Sequence, residues 1–147
     1  MKASQVKVCV LRIEGTNCEE EMRQSFRRLG AKPELVHFKQ LIGADVSPEE
    51  KRSLSDYQIL ALPGGFSAGD YVRAGAIFAA RMKSKLSEEL VDFVKSGKPI
   101  LGVCNGFQIL VEVGLLPAMS GIMSEYPEAV LGTNDSARFE CRPTLLK

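Results

Sequence analysis

Residues 100–110 read ILGVCNGFQIL, and this stretch joins a buried strand pattern to the start of an apolar helix. Gly102 and Gly106 flank Cys104 two residues on either side, where a Cβ atom would crowd a sharp turn. This arrangement is the cysteine form of a nucleophile elbow, a tight turn that holds a reactive side chain at the edge of a sheet. The stretch therefore predicts an α/β fold with a cysteine nucleophile. A buried cysteine between two chance glycines is the alternative interpretation.

On either side of this stretch, the chain alternates strand patterns with helix patterns. Strands are predicted at Val6–Ile13, Pro33–Phe38, Tyr57–Leu62, Ile100–Val103 and Arg138–Leu146. Helices are predicted after an N-cap at Thr16 or Asn17, at Val72–Arg81, at Leu86–Ser96 and at Asn105–Val113. This alternation over 147 residues predicts one α/β domain, residues 1–147, built on a parallel sheet with helices on both faces.

Parallel sheets bind ligands at the carboxyl ends of their strands, so the loops that follow the strands are expected to meet at one edge. These loops are Glu14–Asn17, Pro63–Asp70 and the turn at Cys104. In the second loop, Gly64 and Gly65 permit a close approach of the backbone to a substrate. The N–H groups of Gly65 and Asn105 are candidates for stabilising an oxyanion formed when Cys104 attacks a carbonyl. The alternative is a glycine-rich turn that only connects a strand to a helix.

Three further side chains are candidates for parts of a cysteine enzyme. Gln108 lies one helical turn after Cys104 and is placed to hold a polar substrate group, or it is a solvated helix residue. Cys18 precedes three glutamates that disfavour its thiolate, and it is interpreted as structural. His37 is the one histidine in the sequence and a candidate base for the cysteine, but its strand-end pattern favours a structural role.

The bulk composition argues against several classes of protein. Nineteen basic and eighteen acidic residues leave a formal charge of +1, which gives no basis for binding nucleic acid or an anionic membrane. The apolar runs are too short to span a bilayer, and the N-terminus lacks a secretory signal. The four cysteines form no CxxC pair and no zinc-binding spacing, so no metal site is expected. A cytoplasmic protein with free thiols is the expectation that follows.

Several of these motifs together resemble a known family. The matching segments are Leu101–Leu110 (LGVCNGFQIL), Pro63–Ile77 (PGGFSAGDYVRAGAI), Arg138–Leu146 (RFECRPTLL) and Gly15-Thr16-Asn17-Cys18. They are similar to class I glutamine amidotransferases and, more narrowly, to the glutaminase subunits of phosphoribosylformylglycinamidine synthase. Asn105 together with Phe107-Gln108 points to that branch, whereas class I members in general favour leucine directly after the nucleophile. The resemblance implies a three-layer, flavodoxin-like α/β fold of which the C-terminal part is missing from this chain.

The same resemblance implies a mechanism and roles for the site residues. Cys104 would attack the side-chain amide of glutamine, ammonia would leave, and water would hydrolyse the glutamyl thioester. The oxyanion amides would be those of Gly65 and Asn105, and the substrate-binding residues would be Gly64, Phe66 and Gln108.

Partners are implied as well. In this family the ammonia passes to a synthetase subunit, which uses ATP and Mg to convert formylglycinamide ribonucleotide into formylglycinamidine ribonucleotide in purine biosynthesis. A small bridging subunit is often the third component, and no cofactor is expected on the glutaminase subunit itself. Asp70, Tyr71 and Arg73 form a polar stretch that is expected to face the synthetase or to order the loop.

One departure from the family is large. Its members carry a catalytic histidine and glutamate well downstream of the cysteine, as His-x-Glu, whereas residues 105–147 contain no histidine. The triad histidine and glutamate are therefore not expected in this chain, and the chain alone is predicted to have little or no steady-state glutaminase activity. Two alternatives stay open: a non-catalytic scaffold or binding fragment of the same fold, and a cysteine peptidase-like or deglycase-like enzyme. Asn105 argues against the second, since those enzymes commonly place histidine directly after the elbow cysteine.

Overall fold

The structure is a computed structural model that describes residues 2–124, 126 and 128–145. Within these residues, the strands are β1 (Lys7–Arg12), β2 (Lys32–His37), β3 (Ile59–Leu62) and β4 (Ile100–Gly102). The α-helices are α1 (Glu19–Arg28), α2 (Phe38–Ile42), α3 (Ala76–Lys95) and α4 (Asn105–Val113). Short 3-10 turns lie at Ala3–Gln5, Leu54–Asp56 and Ser67–Asp70.

The four strands form one parallel sheet in the order β2-β1-β3-β4. From β1 to β2 the chain moves across the sheet in one direction, and from β3 to β4 it moves in the other. Because crossovers between parallel strands are right-handed, α1 and α3 must cover opposite faces of the sheet. The result is a three-layer arrangement with the strand order of flavodoxin-like folds, and the predicted α/β class is confirmed.

The side chains of β1 divide between two cores. Cys9 and Leu11 belong to the larger core with α2, α3 and α4, whereas Val8 and Val10 pack in the smaller core against Met22 of α1. All four β1 side chains are fully buried, which is typical of a central strand in a parallel sheet. Burial raises the pKa of the Cys9 thiol, which serves as a small core residue.

The connection between β3 and β4 agrees in part with the two helices predicted at Val72–Arg81 and Leu86–Ser96. The helical segment α3 is divided by a kink at Leu86, whose φ of −130° is not helical. The second predicted helix begins at that residue, so a division of α3 at Leu86 agrees with the prediction. The segment begins later than predicted because Gly75 adopts a left-handed φ of 76° directly before it.

The predicted N-cap of the first helix is also wrong. Cys18 is the residue that precedes α1, and its side chain makes no capping hydrogen bond. The oxygens of Thr16 and Asn17 are used elsewhere in the loop: Ile13 N–H donates to Thr16 Oγ1 at 3.2 Å, and Phe66 N–H donates to Asn17 Oδ1 at 3.2 Å. A turn within the first loop therefore uses the Thr16 oxygen, and a contact with the glycine-rich loop uses the Asn17 oxygen, so neither caps the helix.

The strand predicted at Arg138–Leu146 is not found over residues 138–145, and Leu146 lies outside the described residues. Phe139 and Leu145 are 90% and 98% exposed, and Cys141 is exposed as well. A strand needs a neighbour to satisfy its N–H and C=O groups, and among the described residues none pairs with this segment.

Within the described ranges, no helix combines the length and apolar character that crossing a membrane would require.

Candidate active site

The turn around Cys104 has the geometry of a nucleophile elbow. Cys104 is exposed and has a left-handed backbone, with φ 53° and ψ −112°, a conformation that is costly for a residue with a side chain. It joins β4 directly to α4. A Cβ on Gly106 would lie 2.0 Å from the carbonyl oxygen of Leu62, and a Cβ on Gly102 would lie 2.5 Å from that of Gly106. The two glycines are therefore required by the close contact of α4 with the sheet, as the sequence predicted.

The three loops predicted to meet at one sheet edge do so. Thr16 and Gly65 form an isolated antiparallel bridge. Ala68 N–H donates to the carbonyl oxygen of Glu14 at 2.7 Å, which joins the same two loops a second time. A Cβ on Gly64 would lie only 3.3 Å from the Cβ of Cys104. The first loop, the glycine-rich loop and the elbow thus form one continuous surface beside the thiol.

Both candidate oxyanion donors lie in this surface. Asn105 is the first residue of α4, so its N–H has no acceptor within the helix. Gly65 has a left-handed φ of 120°, and a Cβ there would lie 2.0 Å from Asn17 Oδ1, so the position admits only glycine. The positions agree with two donors beside Cys104, and the assignment of Gly65 and Asn105 as oxyanion amides stays a prediction.

A buried polar cluster ties the elbow to the glycine-rich loop. Asn105 is 2% exposed and Ser67 is 3% exposed. Ser67 Oγ donates to Asn105 Oδ1 at 2.6 Å, while Asn105 Nδ2 donates to Asp70 Oδ1 at 3.1 Å and to Gln108 Oε1 at 3.3 Å. The amide of Asn105 therefore uses both of its N–H donors and its oxygen inside the protein. Sequence reasoning missed Ser67, because nothing in the local pattern distinguishes it from an exposed loop serine.

An open cavity of about 410 Å³ lies beside Cys104, between α1 and the sheet. Apolar side chains from α1 and from the end of β4 form much of its wall: Met22, Phe26, Leu29, Leu101 and Val103. Glu21 and Ser25 add polar side chains, and Gly64, Gly65, Cys18 and Cys104 complete the lining. Cys18, interpreted from sequence as structural, is therefore a neighbour of the candidate nucleophile.

Two of the three predicted substrate contacts, Gln108 and Phe66, lie apart from this cavity. Gln108 bonds to Asn105, and Phe66 is 64% exposed on the loop surface; neither belongs to the cavity lining. Gly64 does line the cavity. The assignment of these three residues to glutamine binding stays a prediction.

The polar stretch after the glycine-rich loop has two different environments. Asp70 is part of the buried cluster and also accepts a hydrogen bond from Gly75 N–H at 3.2 Å. Arg73 donates two hydrogen bonds to the carboxylate of Glu112 on α4, at 2.7 and 2.6 Å, and these bonds hold the pKa of Glu112 below its usual range. Tyr71 is 88% exposed. Asp70 and Arg73 thus order the loop against α4, while Tyr71 is free to contact another surface.

His37 is not placed to serve as a base for Cys104. It ends β2, at the opposite edge of the sheet from β4, and three strand spacings separate those edges by roughly 14 Å. Its Nδ1 accepts a hydrogen bond from Lys39 N–H at 3.2 Å, and burial lowers its pKa. The predicted structural role of His37 agrees with this position, where it caps α2.

Among the described residues, no three His, Cys, Asp or Glu side chains are grouped closely enough to hold a metal ion. The candidate site is built from the Cys104 thiol, the neighbouring backbone amides and the hydrogen-bonded side chains around Asn105.

Comparison with known proteins agrees with this geometry. The chain is 57% identical over 149 residues to phosphoribosylformylglycinamidine synthase subunit PurQ of Archaeoglobus fulgidus, covering 100% of this chain and 55% of the relative. The PurQ subunit of Picrophilus torridus is 45% identical over 141 residues, covering 96% and 52%. A chain in the structure of PurLQS from Thermotoga maritima superposes with a TM-score of 0.66 and 32% identity, covering 94% of this chain and 53% of that one.

The chain therefore spans about half the length of the curated relatives that it matches. Residues 5–147, nearly the whole sequence, match the family described as the CobB/CobQ-like glutamine amidotransferase domain. With the elbow cysteine, the glycine-rich loop and the parallel sheet all in place, the chain belongs to this glutamine amidotransferase family.

Proposed function

We propose that this chain is part of the glutaminase subunit of phosphoribosylformylglycinamidine synthase and supplies its cysteine nucleophile. The observation that carries the proposal is the strained elbow, which presents Cys104 beside the Gly64-Gly65 loop in a chain of the glutamine amidotransferase family. The relatives named as PurQ support the choice of this synthase among glutamine-dependent enzymes.

In the proposed reaction, the sulfur of Cys104 forms a bond to the side-chain amide carbon of glutamine. The carbonyl oxygen becomes an oxyanion, which accepts hydrogen bonds from the N–H groups of Asn105 and Gly65. The carbon–nitrogen bond then breaks, and the nitrogen takes up a proton and leaves as ammonia. Water attacks the glutamyl thioester, which releases glutamate and restores the thiol.

The proton transfers in this reaction require a general base and acid that His37 does not provide. The proposed histidine and glutamate of the triad belong to the half of the relatives' length that this chain does not span. We therefore expect the 147-residue chain alone to release little or no ammonia from glutamine at steady state. Turnover equal to that of a full-length relative, measured as ammonia release per Cys104, would contradict this expectation.

The proposed partners follow from the same assignment. Ammonia passes to a synthetase subunit that binds ATP and Mg and amidates formylglycinamide ribonucleotide, with a small bridging subunit as the third component. No cofactor is proposed on the glutaminase subunit, because a thiol, backbone amides, water and a general base and acid supply the chemistry of the hydrolysis. The PurLQS structure of Thermotoga maritima supports a multi-subunit assembly. Tyr71, exposed next to the ordered loop, is the residue we assign to contact with the synthetase.

The experiment that tests this function joins residues 1–147 to the remaining C-terminal half of the Archaeoglobus fulgidus relative and adds synthetase and bridging subunits from that organism. Product formation is measured with glutamine and, separately, with ammonia. Cys104→Ser is expected to abolish glutamine use and to leave ammonia use intact, whereas Cys141→Ser, which changes an exposed cysteine outside the cavity, retains both. Glutamine use that survives Cys104→Ser, or a chimera that uses ammonia only, would favour the scaffold alternative.

A further inference from the structure

Ser67 and Asn105, which are buried, form a hydrogen-bonded cluster with the half-buried side chains of Asp70 and Gln108, here called the Asn105 clamp. The clamp connects two parts of the site that are far apart in sequence. One part is the first turn of α4, which carries Asn105 and Gln108. The other is the oxyanion loop, defined as residues 64–70, which carries Ser67 and Asp70. Ser67 Oγ and Asn105 Oδ1 are 2.6 Å apart although the residues are separated by 38 positions in the chain.

The oxyanion loop adopts a conformation that needs such support. Ala68 and Asp70 both have a left-handed φ of 51°, although neither is glycine. Backbone conformations of this kind persist where surrounding contacts over-determine them. Asp70 Oδ1 is held by Asn105 Nδ2 and by Gly75 N–H, and Ser67 is held by Asn105 Oδ1, so the clamp supplies such contacts.

The clamp also bears on the spacing of the two proposed oxyanion donors. One donor is the backbone N–H of Asn105 itself, and the other is that of Gly65, two residues before Ser67. The side chain of Asn105 therefore fixes the loop that carries the second donor relative to the residue that carries the first. Hydrogen-bond donors stabilise an oxyanion only when they are held at the position where its charge develops.

We infer that Ser67 and Asp70 are positioning residues that act through the buried side chain of Asn105 to hold the oxyanion loop at the spacing that the tetrahedral intermediate requires. This inference rests on the proposed function, since it presumes that Cys104 attacks a glutamine-like carbonyl. Neither side chain lines the cavity beside Cys104, so their effect is exerted through the loop and not through contact with substrate.

The test compares two reactions of Cys104 in the 147-residue chain. Acylation by the γ-p-nitrophenyl ester of glutamate passes through a tetrahedral oxyanion. Its leaving group departs as p-nitrophenolate and needs no general acid, and the buffer takes up the proton of the attacking thiol, so the reaction proceeds without the triad histidine. Alkylation by iodoacetamide is a direct displacement at carbon and forms no oxyanion. The ratio of the two rates, followed as p-nitrophenol release and as intact mass, therefore reports on the oxyanion donors and cancels changes in the exposure of the thiol.

Ser67→Ala is expected to lower the acylation rate by about tenfold to a hundredfold, with alkylation changed by less than about twofold. Ser67→Thr keeps a hydroxyl and is expected to recover most of the loss. Asp70→Ala should lower the acylation rate as Ser67→Ala does. Asp70→Asn keeps an acceptor oxygen, so its acylation rate should be close to that of the parent chain. Circular dichroism and thermal melts identify any variant that fails to fold. If a Ser67 variant fails to fold, the comparison of Asp70→Ala with Asp70→Asn tests the positioning role.

Two negative results are distinguishable. If the parent chain is acylated at Cys104 and Ser67→Ala and Asp70→Ala are acylated equally fast, the positioning role is wrong while the proposed function stands. If the parent chain is alkylated but not acylated, the proposed function fails and the positioning role fails with it.

Discussion

Gly106→Ala is expected to push α4 away from the sheet. A Cβ at this position would lie 2.0 Å from the carbonyl oxygen of Leu62 and 2.7 Å from its carbonyl carbon, whereas an ordinary contact begins near 3.4 Å. The obstacle is the backbone of β3, which cannot turn aside as a side chain would. The helix must therefore shift by more than about 1 Å, an overpacking that costs about 1–3 kcal/mol or more.

A gain in helix propensity opposes this cost. Alanine is favoured over glycine by about 1 kcal/mol in a helix interior. Because the clash is with backbone, we expect an overpacking cost of about 3 kcal/mol. The gain of about 1 kcal/mol in helix propensity then leaves a net loss of about 2 kcal/mol in the free energy of unfolding. In a chain of this size that loss lowers the Tm by roughly 5–10 °C.

The assay is urea denaturation followed by circular dichroism, with Gly132→Ala as the matched control. A Cβ on Gly132 meets no heavy atom within 4 Å, so this variant is expected to stay within about 0.5 kcal/mol of the parent. Gly106→Ala should also lower the ratio of Cys104 acylation to alkylation, because the helix carries the Asn105 amide. A Gly106→Ala variant as stable as the parent, or more stable, would refute the argument that close packing of α4 on β3 requires glycine.

Two further predictions concern other parts of the molecule. Tyr57→Phe removes a buried hydroxyl that donates to Glu34 Oε2 at 2.6 Å, and it should cost about 1–2 kcal/mol at pH 7 in urea melts. Burial raises the pKa of Glu34, but hydrogen bonds from Tyr57 and Arg52 outweigh it and leave that pKa lowered. The free-energy cost of Tyr57→Phe should therefore shrink as the pH falls below about 4.5 and Glu34 becomes protonated. A cost at pH 3 equal to that at pH 7 would contradict this pH dependence. A short bifunctional thiol reagent should link Cys18 to Cys104, because a Cβ on Gly64 would lie 3.7 Å from Cys18 Sγ and 3.3 Å from Cys104 Cβ. Peptide mapping should show this link in the parent and in a Cys141→Ser variant, and links that join other cysteines would contradict the geometry.

Much of the fold was predictable because local signals and tertiary contacts agree. The helix predicted at Asn105–Val113 has those bounds in the structure, since the elbow begins it and Gly114, with a left-handed φ of 83°, ends it. The central strand was recognisable from the alternation of apolar and mixed residues at Val6–Ile13, and its middle residues, Val8 to Leu11, are buried on both faces of the sheet. The convergence of the three loops followed from the predicted parallel sheet, because the carboxyl ends of parallel strands lie at one edge.

Most of the failures occur where contacts distant in sequence decide the structure. Asn17 has a good capping side chain, but its oxygen accepts a hydrogen bond from Phe66 N–H in another loop, whereas Thr16 is held by Ile13 N–H in its own turn. The apolar pattern at Arg138–Leu146 predicts a strand, yet a strand forms only where another lies beside it. Ser67 is buried by a hydrogen bond to a residue 38 positions away, and no window of local sequence contains that information.

The measurement that tests the central claim most directly is the intact mass of the chain after incubation with a chloroketone analogue of glutamine, with and without excess L-glutamine. The account predicts one adduct, mapped to Cys104, slowed by L-glutamine but not by D-glutamine, and absent from Cys104→Ser. A chain in which Cys104 reacts with iodoacetamide but not with the chloroketone, or in which the adduct forms equally on the exposed Cys141, would contradict a glutamine site at the elbow.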